Sequence, residues 1–204
     1  MKIYFVRHGQ SEYNINKMYQ HPNVGLSVLG KKQAESLAKR FKKIPIDVIF
    51  ASSFKRAKQT AEIINKVLKK KVIYSDLFRD AKIPSEFIGR KNSELTKIHE
   101  IIDRHSNNST WHYSDEENFF EFKERAKKII EYLVKLKKEN ILVVTHGGVV
   151  KMIIFLLSLE DKVSLKFFRK FAFFFKAINT GITLFQTDEN GKLRLLTWND
   201  HSHL

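Results

Sequence analysis

Four short apolar runs, each bounded by polar residues, are spaced along the chain. They are Ile3–Val6, Val48–Ala51, Val72–Tyr74 and Ile141–Val144. A continuous apolar run of this length is typical of a strand covered on both faces, because a strand with one face in water alternates instead. We therefore predict four buried strands.

The segments between these runs carry apolar residues three or four positions apart, which is the spacing of one helix face. Ser27 precedes the first such segment and is a suitable N-cap, since its hydroxyl can accept a free N–H of the first turn. The predicted helices carry Ala34, Leu37, Ala38 and Phe41; Ala57, Ala61, Ile64 and Leu68; and Phe119, Phe122, Ala126, Ile129, Ile130, Leu133 and Leu136.

The last part of the chain predicts a hairpin. Ile182–Gln186 and Leu193–Trp198 flank the turn-forming sequence Asp188-Glu189-Asn190-Gly191. Upstream, strands alternate with helices, which favours a mostly parallel sheet between two helix layers. We expect an α/β fold, a three-layer α/β/α sandwich formed by one domain over residues 1–204.

Residues 81–118 are the least regular part of the chain, with Pro84, Gly89 and the polar run Ser106–Thr110. An irregular stretch of this length inside a compact domain is usually functional or mobile. We interpret it as a small cap insertion over the active site rather than as a second domain.

Composition excludes several classes of protein. The 204 residues include no cysteine, so disulfides, thiol chemistry and thiolate metal sites are excluded. The longest apolar stretch, Val149–Leu159, is interrupted by Lys151 and Ser158 and is shorter than the roughly 20 residues that cross a bilayer. The N-terminus lacks the apolar core of a signal peptide. We expect a cytoplasmic protein without a transmembrane segment.

The chain is strongly basic, with 37 Lys and Arg against 22 Asp and Glu and a formal net charge of +15. Such a charge attracts phosphorylated metabolites, nucleic acids or acidic membranes. Much of the excess lies in short lysine groups typical of solvated helix faces. The charge therefore permits an anionic substrate without identifying one.

Two predicted strands end at a histidine followed by glycine. The first reads Ile3-Tyr4-Phe5-Val6-Arg7-His8-Gly9, and the second reads Ile141-Leu142-Val143-Val144-Thr145-His146-Gly147-Gly148. Ligands of α/β sheets bind beyond the carboxyl ends of the strands. If the two strands are parallel neighbours, both imidazoles lie at that edge.

Two histidines and an arginine suit the hydrolysis of phosphate monoesters. An arginine binds phosphoryl oxygens through two N–H groups, and a neutral imidazole can attack phosphorus and divide the displacement into two easier steps. A carboxylic acid can then protonate the leaving oxygen.

Four segments in order resemble the signatures of the histidine phosphatase (phosphoglycerate-mutase-like) superfamily. They are Phe5-Val6-Arg7-His8-Gly9-Gln10-Ser11-Glu12-Tyr13-Asn14, Leu26-Ser27-Val28-Leu29-Gly30-Lys31-Lys32-Gln33-Ala34, Ala51-Ser52-Ser53-Phe54-Lys55-Arg56-Ala57-Lys58-Gln59-Thr60-Ala61 and Val144-Thr145-His146-Gly147-Gly148. Asn199-Asp200 followed by His203-Leu204 also resembles the usual ending of the family. An Arg-His-Gly triplet alone is weak evidence, whereas four ordered motifs are strong.

The resemblance implies that His8 is the nucleophile and forms a phosphohistidine. It implies a positively charged phosphate pocket of Arg7, Arg56 and His146, assisted by Asn14 and the Gly147 backbone. It implies neither a metal ion nor another cofactor.

The general acid is open between two carboxylates. The family usually has a glutamate after an arginine shortly beyond the third strand, and here Leu77-Phe78-Arg79-Asp80 offers the shorter Asp80. Glu86 follows six residues later and is the alternative. We favour Asp80.

Within the family, we expect a phosphatase of small phosphorylated metabolites. Residues 81–118 are more compact than the corresponding mutase insert and lack its basic, tyrosine-rich pattern. The smallest phosphohistidine phosphatases lack much of a cap. A cofactor-dependent phosphoglycerate mutase, a protein phosphohistidine phosphatase and a basic nucleic-acid-binding relative stay open as alternatives, although we expect no specific nucleic acid.

Aromatic residues in the cap are candidates for contact with the substrate. Trp111, His112 and Tyr113 either contact its organic part or pack together as a surface cluster. His99 and His105 are six positions apart, lack the spacing of metal ligands and are expected on the surface.

The segment Lys166–Lys176 holds six phenylalanines among four cations. It either packs on the core near the active site or contacts a membrane, a single-stranded nucleic acid or another protein. Of the protein contacts, we favour a homodimer through residues 167–175.

Overall fold

A six-stranded sheet forms the centre of the molecule. The computed structural model describes residues 1–105, 107–159 and 164–204. The strands are β1 (Lys2–Arg7), β2 (Val48–Ser52), β3 (Val72–Ser75), β4 (Asn140–Thr145), β5 (Ile182–Thr187) and β6 (Leu193–Asp200), in the order β3-β2-β4-β1-β5-β6. The first four in that order are parallel, and β5 and β6 are antiparallel. The predicted α/β class and the hairpin are confirmed.

Helices cover both faces of this sheet. They are α1 (Glu12–Ile15), α2 (Val28–Phe41), α3 (Lys55–Leu68), α4 (Thr96–Arg104), α5 (Phe119–Val134), α6 (Gly147–Leu159) and α7 (Leu165–Phe174), with short 3₁₀ helices at Asp76–Phe78, Ser85–Phe87 and Asn92–Leu95. None of the helices in the described ranges is long and apolar enough to cross a membrane.

The core has two halves, one on each side of the sheet. Successive strand side chains point to opposite faces, so Ile3 and Phe5 of β1 pack with α5 and α6. Tyr4 and Val6 pack with α2 and α3 on the other face. This alternation produces the three layers and explains why the central strands are apolar throughout.

The prediction that Val72–Tyr74 is covered on both faces is wrong. It forms β3, an edge strand whose single neighbour is β2, and the Tyr74 side chain is 42% exposed. A short run of β-branched and aromatic residues is as compatible with an edge strand as with a central one. The pattern therefore predicted a strand correctly but could not predict its place in the sheet.

The cap segment 81–118 packs against the loop that follows α1. The Gly89 N–H donates to the Tyr19 carbonyl at 2.9 Å, and the buried Phe87 contacts the Tyr19 ring. The expectation that His99 lies on the surface is wrong, because its ring is half-buried and Nε2 lies 2.7 Å from the Tyr19 hydroxyl. His105 is exposed, as expected.

Helix α7 divides its phenylalanines between the core and the surface. Phe168 and Phe171 pack against the core beside α6, whereas Phe173 and Phe174 at the end of the helix are 87% and 84% exposed. Phe168 and Phe171 are three positions apart and lie on one face of the helix, whereas Phe174 is the last residue of the helix. The sequence left open whether this segment packs on the core or is exposed for contact with a partner. The structure shows that one part of it is packed and another part is exposed.

The first turn of α2 fixes the loop that follows β1. The Ser27 hydroxyl accepts the Gly30 N–H at 3.0 Å, as expected for the N-cap, and the Ser27 N–H donates to the Gln10 carbonyl. Any Cβ on Gly30 would come within 1.9 Å of the Gln10 oxygen. Glycine is therefore required for the helix to approach this loop so closely.

Substituting Gly30→Ala is expected to lower the free energy of unfolding by at least about 2 kcal/mol, although alanine is the better helix former. Gly89→Ala is the control, because Gly89 has a φ of +82° but, its two chain neighbours aside, no described residue lies within 4 Å of the place that a Cβ would occupy. We expect a loss of about 1 kcal/mol there. Urea unfolding of both variants measures the difference. A smaller loss for Gly30→Ala than for Gly89→Ala would contradict the close approach.

Candidate active site

The carboxyl ends of β1 and β4 lie side by side, and each strand is followed directly by a histidine. Arg7 is paired with Thr145 in the parallel register, and the His8 N–H donates to the Thr145 carbonyl at 2.9 Å. The centroids of the His8 and His146 rings are 5.1 Å apart, and both side chains are buried. The structure thus brings the two strand–His–Gly segments together at one edge of the sheet.

The hydrogen bonds of His8 define which ring nitrogen carries the proton. Nδ1 lies 2.7 Å from the Gly9 carbonyl oxygen, which can only accept, so the proton is on Nδ1. Nε2 accepts the Arg56 Nε–H at 3.2 Å. Burial, together with the charges of Arg56 and Arg7, holds the pKa of His8 well below 6.5. At neutral pH His8 is therefore an uncharged imidazole with a lone pair on Nε2.

His146 is held through its other ring nitrogen. Its Nε2 lies 2.9 Å from the Ser52 hydroxyl, which already accepts the Phe54 N–H. We assign the Ser52 hydroxyl as donor to Nε2, which leaves the ring proton on Nδ1. Nδ1 is buried and has no hydrogen-bond partner among the residues that the structure describes. Burial and the Arg56 charge hold the pKa of His146 well below 6.5, so this neutral ring can offer an N–H to a ligand.

Three cations surround the two imidazoles. Arg56 is buried, and burial lowers its pKa to about 10, which leaves the guanidinium charged at neutral pH. Arg7 donates to the Ala177 carbonyl, and burial lowers its pKa as well. Lys151, one turn into α6, donates to the Ala172 carbonyl at 2.6 Å. This concentration of positive charge favours a dianion.

Of the two candidate acids, Asp80 lies beside the histidines. Its Oδ2 is 3.8 Å from His146 Nδ1, and its side chain is about one-third exposed. A Cβ on Gly148 would lie 2.7 Å from Asp80 Oδ1, so glycine is needed there for the carboxylate to come this close. Glu86 is elsewhere in the cap, where it accepts a hydrogen bond from the Tyr113 hydroxyl and raises the pKa of that tyrosine.

Asn14 and Gly147 also lie at this edge of the sheet. Asn14 is the third residue of α1, and its Oδ1 accepts the Ser11 N–H at 3.1 Å in a capping box. Gly147 is the first residue of α6. Because the first N–H groups of a helix have no partner within the helix, the start of α6 is suited to hold an anion beside His8.

The pocket consists of two adjoining parts. One, of about 190 Å³, is lined by Arg7, His8, Gly147 and Lys151. The other, of about 410 Å³, is lined by residues that include Asn14 and Arg56. Gln20 and Asp80 line both parts. Within the described ranges, no three His, Cys, Asp or Glu side chains are grouped so that they could hold a metal ion.

This arrangement agrees with the comparison of the sequence with known families. Residues 3–201 match the sequence model of the histidine phosphatase superfamily (branch 1). The chain belongs to the histidine phosphatase superfamily. The match spans all four segments whose resemblance to this family was noted in the sequence.

Individual members of the histidine phosphatase superfamily are similar over most of their length. A Schizosaccharomyces pombe protein named as a phosphatase is 30% identical over 209 residues, which cover 100% of this chain and 95% of the relative. A Hydrogenobacter thermophilus protein named as a phosphoserine phosphatase is 30% identical over 160 residues, 77% of this chain and 78% of the relative. The α-ribazole phosphatase of Shigella flexneri has the same fold, with a TM-score of 0.81 at 20% identity over 98% and 97% of the two chains.

A partly buried ion-pair network holds the backbone that carries Asp80. Glu117 accepts from Arg125 Nε at 2.6 Å and from Arg79 Nη1 at 3.1 Å. Arg125 also donates to the carbonyls of Leu77 and Arg79, at 3.0 and 2.8 Å. Arg125 on α5 and Glu117 in the loop before it thus fix the position of the Asp80 carboxylate. The sequence analysis did not predict this network, because both residues are far from Asp80 in the sequence.

Several residues of this histidine phosphatase site were missed in the sequence. Ser52 is the last residue of β2, so the strand-end argument that found the histidines could have found it. Lys151 lies one helical turn after Gly147, on the side of α6 that lines the pocket. Gln20 and Asn179 carry no such signal. Asn179 donates to the His8 carbonyl at 2.9 Å, across 171 positions of sequence.

The two low histidine pKa values predict how the stability of the free protein depends on pH. Below about pH 6.5 an unfolded imidazole takes up a proton whereas buried His8 does not, so the free energy of unfolding decreases as the pH falls below 6.5. Each such histidine contributes up to about 1.4 kcal/mol per pH unit.

The variant His8→Asn removes one of these two contributions. We expect its free energy of unfolding to decrease less steeply than that of the wild type between pH 6.5 and 5, by up to about 1.4 kcal/mol per unit. Urea unfolding at several pH values measures both slopes. Parallel slopes would show that His8 is not held neutral.

Proposed function

We propose that this histidine phosphatase superfamily member hydrolyses phosphate monoesters through a phosphohistidine formed on His8. The observation that carries the proposal is the uncharged imidazole of His8, with its Nε2 lone pair beside the buried Arg56 guanidinium. Such a nitrogen is a nucleophile at neutral pH, and the cations around it suit the phosphoryl group that it attacks. The names of the curated relatives support the same activity.

In the first step, His8 Nε2 attacks phosphorus and the bond from phosphorus to the ester oxygen breaks. Arg7, Arg56 and the Gly147 N–H hold the three non-bridging oxygens, and His146 Nδ1–H donates to one of them as charge shifts there. Asn14 assists in binding. Asp80, protonated, gives its proton to the leaving oxygen.

In the second step, water attacks phosphorus of the phosphohistidine. Asp80, now a carboxylate, accepts a proton from the water, and the bond from His8 Nε2 to phosphorus breaks. Inorganic phosphate leaves, and both His8 and Asp80 return to their starting forms. The site supplies all the positive charge that these steps need from its own side chains, so we propose that neither a metal ion nor another cofactor takes part.

The substrate in this proposal is a small phosphorylated metabolite of the cytoplasm. We treat residues 1–204 as one domain in which residues 81–118 act as a cap. A phosphoglycerate mutase is the alternative within the same chemistry, because it also passes through a phosphohistidine. It would return the phosphoryl group to substrate rather than to water, and would need a bisphosphorylated primer.

The proposed activity is tested by phosphate release from a panel of phosphomonoesters between pH 5 and 8. We expect turnover by the wild type that is unchanged by EDTA and that falls by about 10⁶-fold in His8→Ala, since removal of a nucleophile has effects of this size. His201→Ala, at an exposed position, is the matched control. Turnover retained in His8→Ala would exclude the mechanism, and strong inhibition by EDTA would exclude its independence of metal.

The proton donor is tested by comparing good and poor leaving groups. We expect Asp80→Asn to reduce kcat by about 10²- to 10⁴-fold with an alkyl phosphate and far less with 4-nitrophenyl phosphate, whose leaving oxygen needs no proton. Glu86→Gln is the matched control and should affect neither ester. If Glu86→Gln shows the selective loss instead, the acid is Glu86.

We also propose that the exposed end of α7 contacts a second copy of the chain. Phe173 and Phe174 form an apolar surface that the described residues leave uncovered. Because lysines flank this surface in both copies, we expect dimerisation to strengthen with salt. Sedimentation equilibrium of the wild type should show dimers that the double variant Phe173→Ser/Phe174→Ser lacks and that Leu196→Ser, exposed on β6, retains. A wild type that stays monomeric at all salt concentrations would contradict the proposal.

A further inference from the structure

A third cavity, of about 330 Å³, opens next to the phosphate pocket. It lies between the cap, α5 and α7, and Asp80 and Gly148 line both this cavity and the part of the phosphate pocket that holds His8. Its volume is near the lower end of small-molecule sites. A group attached to the leaving oxygen beside Asp80 can therefore extend directly into it.

The walls of this cavity are mostly apolar and aromatic. They include Phe87, Ile102, Trp111, Phe119, Phe122 and Phe168. Trp111 is stacked on His105 at 4.5 Å between ring centroids, and Phe168 contacts Phe119 and Phe122. Of the three cap aromatics considered in the sequence analysis, Trp111 lines the cavity. Tyr113 packs against Phe87, another residue of the cavity wall.

Among the described side chains, the two Lys and Arg residues that line the cavity are paired with carboxylates. Lys82 lies 3.1 Å from Asp115, and Arg169 forms an ion pair with Asp103. The charge of each cation is therefore largely offset by the carboxylate beside it.

Two other polar side chains of the cavity, His99 and Glu117, are engaged as well. His99 is hydrogen-bonded to the Tyr19 hydroxyl, and burial lowers the pKa of this histidine, so it is uncharged at neutral pH. Glu117 is held by two arginines. A carboxylate or second phosphate placed here would lose its hydration without gaining an unpaired cation from the described side chains.

We propose that this cavity binds the organic part of the substrate and selects phosphate monoesters of uncharged aryl or branched alkyl alcohols. The inference rests on the proposed function, because it names the leaving group of that reaction. It predicts that amino-acid and glycerate phosphates, whose organic part is charged, are poor substrates. Burial of about 100 Å² of apolar ligand surface favours the apolar ester by about 50-fold in kcat/KM.

The test compares two primary-alcohol esters whose leaving groups are chemically similar but differ in charge. These are 2-phenylethyl phosphate and phosphoserine, with ethyl phosphate as the small reference. We expect kcat/KM to be at least about 50-fold higher for 2-phenylethyl phosphate than for phosphoserine. Equal values, or a preference for phosphoserine, would overturn the inference while leaving the proposed function intact.

Variants on α4 test whether the cavity is the origin of the preference for 2-phenylethyl phosphate. Ile102 lines it, whereas the neighbouring Ile101 is exposed and does not. Ile102→Lys places an unpaired cation in the cavity, so we expect kcat/KM to fall at least 10-fold for 2-phenylethyl phosphate and to rise for phosphoserine. Ethyl phosphate should change by less than threefold. Ile101→Lys should leave all three values unchanged, and matching effects of the two variants would overturn the assignment.

A second variant and a binding measurement keep the inference testable if Ile102→Lys does not fold or if the wild type does not hydrolyse the esters. Trp111→Gln, in the cap and outside the core, should reduce the preference for 2-phenylethyl phosphate without affecting ethyl phosphate. Calorimetry with His8→Ala measures binding of the intact esters without turnover. If no ester is hydrolysed by the wild type but 2-phenylethyl phosphate binds at least 10-fold tighter than phosphoserine, the cavity assignment stands and the proposed function fails. Equal binding would overturn the assignment.

Discussion

The site depends on two imidazoles that are kept uncharged by burial among fixed positive charges. A guanidinium keeps its charge when buried far more readily than an imidazole does, because its ordinary pKa is several units higher. Arg56 thus stays protonated even with a pKa of about 10, and its charge adds to burial in holding the pKa values of His8 and His146 well below 6.5. In the proposed mechanism, the arginine that holds the phosphoryl group therefore also helps to keep the nucleophile uncharged.

The sheet supplies the placement that this electrostatic arrangement requires. Because β1 and β4 are parallel neighbours, the residues that follow them leave the sheet at the same edge. The Ser52 hydroxyl at the end of β2 then orients His146, and Thr60 of α3 accepts the Gly9 N–H. Three strands and a helix thus hold the side chains around His8 in fixed positions. Such preorganisation of a charged site is what phosphoryl transfer requires.

Much of the fold and the charged part of the site could be predicted from local sequence. The apolar runs that end at His8 and His146 carry both the strand signal and the chemistry, and Ser27 marks a helix start through its own hydrogen bond. The edge position of β3 could not be predicted, since it depends on which strands pair. Asn179 reaches the His8 carbonyl from a distant segment, and no local pattern indicates such a contact.

The cap shows the same limit more strongly. The half-buried state of His99 and the cavity lined by Trp111 depend on tertiary packing between the cap, α5 and α7, which no local pattern in the cap specifies. The sequence did narrow the candidates for the general acid to Asp80 and Glu86. The sequence could not supply the distance of 3.8 Å between Asp80 Oδ2 and His146 Nδ1, which is what supports Asp80 in the proposed mechanism.

The central claim is that the uncharged His8 Nε2 is the atom that receives the phosphoryl group. The most direct measurement is acid-free rapid quenching of the wild type with a fast-reacting aryl phosphate, followed by mass spectrometry of the peptides at alkaline pH. The account predicts an alkali-stable, acid-labile phosphoryl group on His8 within the first turnover, absent from His8→Ala and still formed on His8 in His146→Gln. A phosphoryl group on any other residue, or hydrolysis at full rate with no phosphoenzyme in the wild type and continued turnover in His8→Ala, would contradict it.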